Sequence, residues 1–502
     1  MSTLLVCESS TNIAAVCQRI NSESPEERSS GTTMIRQMFL MEPDPPAQRL
    51  IESACPVLLR FLDDSHASDA LQYECARALA NIASSSRHIP YLINLGVAGA
   101  FLRKLEGMSA RVFGECLRGL GNIAGDSLQH RDDIITQGVI PLLCQCFRPT
   151  TPQSVHRNSA RLALSLCRDK PLPALRVIRQ LLTPLLWLIY SDDQEILANT
   201  CQALAAITDE GSKRIEAVVE VGLPHRLVEL LPHPSPAVSV PALKCIGNIL
   251  SGDERCTQAV LDNGPLPSLR AMFTNPDTSI RKGAVFAVSN ITAGTVAQIQ
   301  AVLDAGMLAD LLGFLEMVDD PETKSHAIWA LRNAASGGSP AQIHMMVEAG
   351  LIRAFVRLLG SPMILSRPKL QRVILVALQD VLKSGNSLAR VHQQDGREYV
   401  RQLIGADAVS VLRRLVEVGS SDYDDGESIT TLAQTLLRAV MEQPPESERS
   451  RSHHGNNNNN NEDDDNNNNK EADEPTGGPE SNNPNHAISD ARQGIVTGDH
   501  AG

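Results

Sequence analysis

The chain has 502 residues and a formal net charge of −13, with 42% hydrophobic but only 3% aromatic side chains. That size exceeds what one compact core usually holds, and the dominance of Leu, Ala, Val and Ile favours helix-on-helix packing. The negative balance argues against nucleic acid as a partner, and no run of about 20 apolar residues is present to span a membrane.

The opening stretch, MSTLLVCESSTNIAAVCQRI, has neither the basic start nor the sustained apolar run of a secretory leader. The eleven cysteines are therefore expected as reduced thiols. Cys144 and Cys146 stand one residue apart without a second pair, which is not a zinc pattern, so neither metal nor cofactor is expected. Residues 1–44 show no repeat signature and form a separate N-terminal segment in this reading. Within it SESPEERSSG (22–31) reads as flexible, and PAQRLIESACPVLLRFL (46–62) then supplies the first helices.

A repeat of about 42 residues follows. ECARALANIASS (74–85), ECLRGLGNIAGD (115–126), KCIGNILSGD (244–253), VFAVSNITAG (285–294) and IWALRNAASGG (328–338) align on Asn81, Asn122, Asn248, Asn290 and Asn333. Two weaker copies, RLALSLCRDK and CQALAAITDE, place Ser165 and Ala206 at the same point, and the successive spacings are 41, 43, 41, 42, 42 and 43 residues. Gly96, Gly138, Gly222, Gly264, Gly306 and Gly350 each come 15 to 17 residues after a marker and precede apolar runs such as LPHRLVELL. Glycine there supplies the left-handed backbone that ends one helix before the next begins. Units of this kind cannot bury their own apolar face and must stack. The predicted fold is all-α, a right-handed superhelical solenoid of three-helix repeats over residues 45–442.

VILVALQDVLKSG (373–385) is a degenerate copy with Asp380 at the marker, and residues 398–440 read as a helical cap. From about 443 the composition changes to an Asn-rich, acidic tail (443–502) with twelve acidic and four basic side chains, including Glu462, Asp463, Asp464 and Asp465. It has little to bury and is predicted to be disordered. His453 and His454 read there as solvated side chains.

Asparagine is a mediocre mid-helix residue, so its recurrence needs a cause. One cause is a core hydrogen bond bridging adjacent repeats. The other is a ladder of amides that binds the main chain of an extended peptide, with an aromatic one turn earlier to hold lysine stems by cation–π contact. In HAIWALRNAASGG (326–338), Trp329 and Asn333 are four apart and share a helix face. The same spacing joins Phe286 to Asn290.

GNIAGD, SNITAG, ITDEGSKRIEAVVEVG and GNILSGDERCTQAVLDNG resemble the repeat signatures of importin α, in that family's order, from about residue 46 to 440. The resemblance implies armadillo repeats and a non-enzymatic adaptor for nuclear import, found in cytoplasm and nucleus, that binds nuclear localisation signals of cargo proteins. It also implies importin β and the nuclear export receptor for importin α as partners. By it, Asn81, Asn122, Asn248, Asn290 and Asn333 form the amide ladder. Asp126 meets the key signal lysine, Asp209 is a second acidic position, and Trp329 and Phe286 fill aromatic slots.

There are departures. Arg77, Arg118 and Arg161 stand in three tryptophan slots, Gln202 and Ala206 replace another pair, and Gly283 and His326 stand where the family tends to carry glutamates. A cationic strip repels a lysine-rich peptide, unless Arg77 and Arg118 pair with Glu74 and Glu115 at i,i+3. Residues 1–44 also lack the basic cluster through which the family recruits importin β. The alternative is an armadillo scaffold whose arginine-lined groove takes a non-nuclear or acidic partner. No G-x-x-x-x-G-K-[ST], H-E-x-x-H or G-x-S-x-G motif suggests catalysis.

Overall fold

The computed structural model describes residues 10–41, 48–106, 109–145, 147, 150–317, 320–392, 398–418 and 428–441. The tail expectation for 443–502, with Glu462 to Asp465, His453 and His454, lies outside the described residues, as does Cys146. The chain forms two compact units, up to residue 271 and from 272 onward, and the regular elements described are all α-helices.

The first unit runs α1 (Ser10–Ile20), α2 (Pro25–Met41), α3 (Gln48–Asp63), α4 (Asp69–Ile82), α5 (Ile89–Leu95), α6 (Val97–Lys104), α7 (Ala110–Ala124), α8 (Leu128–Thr136) and α9 (Val139–Cys144). It continues with α10 (Gln153–Cys167), α11 (Leu175–Leu188), α12 (Gln194–Thr208), α13 (Ser212–Glu220), α14 (Leu223–Leu230), α15 (Pro236–Leu250), α16 (Glu254–Leu261) and α17 (Leu266–Met272). Several marker helices are capped by a side chain at their start. The Ser68 hydroxyl accepts from the Leu71 N–H, Ser109 from Val112, and the Asp193 carboxylate from Glu195 and Ile196, satisfying donors that have no intrahelical partner. Between α5 and α6 the chain turns at Gly96, whose φ of 87° is left-handed, and the other landmark glycines share that geometry.

The marker helices stack in order: α2 on α4, α4 on α7, α7 on α10, α10 on α12 and α12 on α15. Their inward rows, including Leu79, Ile82, Leu120, Leu162, Leu204 and Ile246, are solvent-inaccessible. Approach is close enough that a Cβ on Gly119 would collide with the Phe101 ring.

The flexible reading of SESPEERSSG is corrected. Ser24 caps α2 by accepting from the Glu27 N–H at 3.4 Å, Pro25 occupies the first helical position, and Glu26 and Glu27 fill the first turn. These are helix-start residues, and Thr32, Ile35 and Met38 then bury one side of α2. The helical stack thus extends N-terminal to the first marker repeat.

The second unit runs α18 (Thr278–Thr292), α19 (Val296–Asp304), α20 (Met307–Met317), α21 (Pro321–Gly337), α22 (Pro340–Glu348), α23 (Leu351–Leu359), α24 (Pro362–Leu365), α25 (Pro368–His392), α26 (Glu398–Gly405), α27 (Ala408–Val418) and α28 (Ile429–Met441). Here α18 packs on α21, α21 on α25 and α25 on α28. Capping boxes start α19 (Thr295 with Gln298) and α22 (Ser339 with Gln342). Gly350 (φ 101°) ends the second helix of its repeat, and Asp380 lies in α25.

Candidate functional site

Asn81, Asn122, Asn248 and Asn333 share one geometry. Each donates its Nδ2–H to a backbone carbonyl on the preceding marker helix: Asn81 to Arg36 at 3.3 Å, Asn122 to Ala80 at 3.0 Å and Asn248 to Ala205 at 3.2 Å. In the second unit Asn333 donates to Ser289 at 3.1 Å. Asn248 also reaches the Thr208 hydroxyl at 3.2 Å. A helical carbonyl already accepts one intrahelical bond, and its second lone pair takes the amide. The bridging alternative therefore describes these donors. Asn81, Asn290 and Asn333 are buried, at 6%, 1% and 3% exposure, while Asn122 and Asn248 are half-buried. The expectation from the resemblance that Asn333 forms part of an amide ladder open to a peptide is corrected, because a buried amide donor must find a partner inside. Its neighbour Trp329 stays half-exposed. Asn158, which donates to Gly114 at 2.8 Å, is a further bridging amide that the marker alignment missed, since it lies seven residues ahead of Ser165.

The arginines are used unequally. Arg118 pairs with Glu115 at 2.7 Å and donates to the Arg77 carbonyl at 3.2 Å and to Asn81 Oδ1 at 2.8 Å. Both ends of the Asn81 amide are thereby occupied. Arg77 does not pair with Glu74, contrary to the i,i+3 expectation. Glu74 is held by Arg36 at 2.7 Å, and Arg77 turns to Tyr73, donating to its hydroxyl at 3.2 Å. Arg36 precedes Arg77 by 41 residues, the repeat spacing, so α2 adds a fourth arginine to the series. Arg161 reaches forward to Glu195 at 2.6 Å, and Arg157 beside it pairs with Asp193 at 2.6 Å.

The two carboxylates assigned to a signal lysine are engaged by the chain itself. Asp126 lies 3.0 Å from His130 Nδ1, one helical turn away. Asp209 is 2.9 Å from Lys170 Nζ and 4.0 Å from Lys244 Nζ, and the hydrogen bond to Asp209 raises the Lys170 pKa. Asp209, Lys170 and Lys244 line a cavity of about 520 Å³ between α10, α12 and α15.

In the second unit, Phe286 meets His326 edge-on, ring centroids 5.2 Å apart. Desolvation, and then the nearby Lys282, push the His326 pKa down to about 4. The Arg332 guanidinium stands 6.0 Å from the Trp329 ring centre. Phe286 and Trp329 are half-exposed on the adjacent helices α18 and α21. The other tryptophan, Trp187 on α11, is 42% exposed beside Phe147, which precedes α10, and His156 on α10, an aromatic group that the repeat alignment did not signal.

Stacked three-helix repeats bridged by marker amides define an armadillo-repeat solenoid, a class of non-enzymatic adaptors and scaffolds. Residues 43–84 and 295–336 match the armadillo/beta-catenin-like repeat. An engineered protein of known crystal structure superimposes with a TM-score of 0.68 at 25% identity, over 85% of this chain and 98% of its own. Importin subunit alpha-5 of Arabidopsis thaliana is 39% identical over 74% of this chain and 70% of its own length. Importin subunit alpha-8 of the same plant is 32% identical over 69% and 76%. Importin subunit alpha-1b of Oryza sativa subsp. japonica is 35% identical over 51% of this chain, which spans about half (48%) of that relative. The chain belongs to the importin α family.

Proposed function

We propose that this protein is a nuclear-import adaptor that binds extended, lysine-rich nuclear localisation signals of cargo proteins and moves between cytoplasm and nucleus. One observation carries the reading: an aromatic–amide pair repeats on neighbouring helices, Phe286 with Asn290 on α18 and Trp329 with Asn333 on α21. A half-exposed ring on each helix offers a face for a lysine stem, and the Asn333 amide, bonded to the Ser289 carbonyl, holds the two helices in register. In the first unit Asp126 and Asp209 are held by His130 and Lys170, and the lysine contacts of this reading fall in the second unit. The export receptor for importin α is a partner in this reading, and no direct tight complex with importin β is expected, because residues 1–44 lack the basic cluster through which the family recruits it.

The experiment is fluorescence anisotropy of a labelled lysine-rich peptide on the full chain, with nuclear accumulation of the same peptide fused to a fluorescent protein in permeabilised cells. Binding above a neutral control peptide, weakened in a Phe286→Ala/Trp329→Ala variant, is expected. Equal binding by the folded variant would sink the reading.

A further inference from the structure

On one face of the first unit, the ion pairs leave several cations uncompensated. Glu74, Glu115, Asp193 and Glu195 are taken by Arg36, Arg118, Arg157 and Arg161. Arg77, Arg111 and Arg168 have no carboxylate in ion-pair contact among the described residues. Arg111 stands 4.3 Å from the centre of the Tyr73 ring and Arg77 5.8 Å from it, so two guanidiniums flank one tyrosine. Arg168 touches only the Gly125 carbonyl, at 3.2 Å. At the 520 Å³ cavity, Asp209 faces two ammoniums, Lys170 and Lys244, which are 57% and 56% exposed. The cavity wall is otherwise largely apolar, with Leu172, Ala206, Ala237, Val240 and Pro241.

We propose that this face of the first unit, from α4 to α15, is a docking surface for an extended acidic peptide carrying one aliphatic side chain. Its carboxylates meet Arg77 and Arg111 at one end and Arg168, Lys170 and Lys244 at the other, and the aliphatic group enters the cavity. Charge complementarity selects this occupant, because a lysine-rich strand would add like charge to every uncompensated group on the face. Four helix-to-helix steps of about 10 Å separate α4 from α15. At about 3.3 Å per extended residue this is a segment of roughly a dozen residues. The proposal does not rest on the lysine-rich reading of the second unit and uses different residues.

The test is anisotropy with a labelled peptide of about a dozen residues rich in Asp and Glu with one central Leu, on the full chain. Binding that weakens with salt is expected, since the charges are exposed and screened over about 8 Å at physiological strength. Replacing Arg77, Arg111, Lys170 and Lys244 together by Ala weakens it about tenfold, the sum of four modest exposed contributions. Lys170→Glu/Lys244→Glu abolishes it, and Trp329→Ala/Asn333→Ala leaves it unchanged. Arg111, Lys170 and Lys244 are exposed and Arg77 is half-buried, and circular dichroism melting verifies that each variant is folded. Absence of binding by the parent chain, indifference to the four substitutions, or displacement of the acidic probe by a lysine-rich peptide would each overturn the proposal.

Discussion

Lys170 Nζ lies 2.9 Å from Asp209 Oδ2, so a carboxylate suited to an incoming lysine is met by a lysine of the same chain. A ligand lysine must first displace it. Lys170→Ala should therefore raise the affinity of the first unit for lysine-rich peptides while lowering that for acidic ones. Titration of both peptides against parent and variant measures the exchange. A variant that changes neither affinity would show that Asp209 takes no part in binding.

Trp329 supplies the aromatic anchor of the proposed signal site, and Asn333, bonded to Ser289, holds its helix in register. Their joint replacement by Ala should cost a lysine-rich peptide about 2–4 kcal/mol, the range of a stacked aromatic contact with loss of a buried amide. Part of the cost comes from the Ser289 carbonyl, which loses its bridging donor. Isothermal titration on a variant with parental helicity is the measurement, and a loss below a few tenths of a kcal/mol would exclude the site.

Two arginines of the same series should differ in stability effect. Arg118 is 20% exposed and holds Glu115, the Arg77 carbonyl and Asn81 together. Removing it strands a largely buried carboxylate and an amide oxygen, a cost of about 2–3 kcal/mol. Arg161 is 46% exposed, and its pair with Glu195 should contribute about 0.5 kcal/mol or less. Urea unfolding of Arg118→Ala and Arg161→Ala separates the two, and equal losses would contradict this account.

His326 makes the second unit sensitive to acid. Its pKa falls from an ordinary 6.5 to about 4 in the fold, chiefly through desolvation against Phe286. Between those values the unfolded chain binds more protons than the native one, so stability rises with pH. It should decline as pH falls from about 6.5 toward 4, by about 2 kcal/mol from this residue, since the ring retains some solvent contact. Thermal melting across that range should show a shallower slope for His326→Gln than for the parent.

Gly119 lets α7 close on the Phe101 ring of α6. Gly119→Ala, although helix-favouring by propensity, should destabilise by about 1–3 kcal/mol through overpacking. Gly313 in α20 has open space around a built Cβ, and Gly313→Ala should stabilise by up to about 1 kcal/mol. Denaturant midpoints of the pair decide between packing and propensity.

The repeat was legible in the sequence because each of its signals is local. Markers at intervals of 41 to 43 residues, left-handed glycines such as Gly96 and Gly350, and apolar rows at helical spacing each act within a turn or two of themselves. Helix α2 escaped that reading because it carries no marker asparagine and buries only a narrow row, yet its Ser-Pro-Glu-Glu start is also local and was there to find. The fate of the polar side chains belonged to tertiary structure alone. Whether Glu74 pairs with Arg77 or with Arg36, whether Asn333 faces outward or bonds to Ser289, and whether Asp209 waits for a ligand or holds Lys170 depend on groups 38 to 44 residues away. Stacking brings those groups within 2.7 to 3.1 Å, and short-range forces between side chains then select among partners that sequence spacing leaves equivalent.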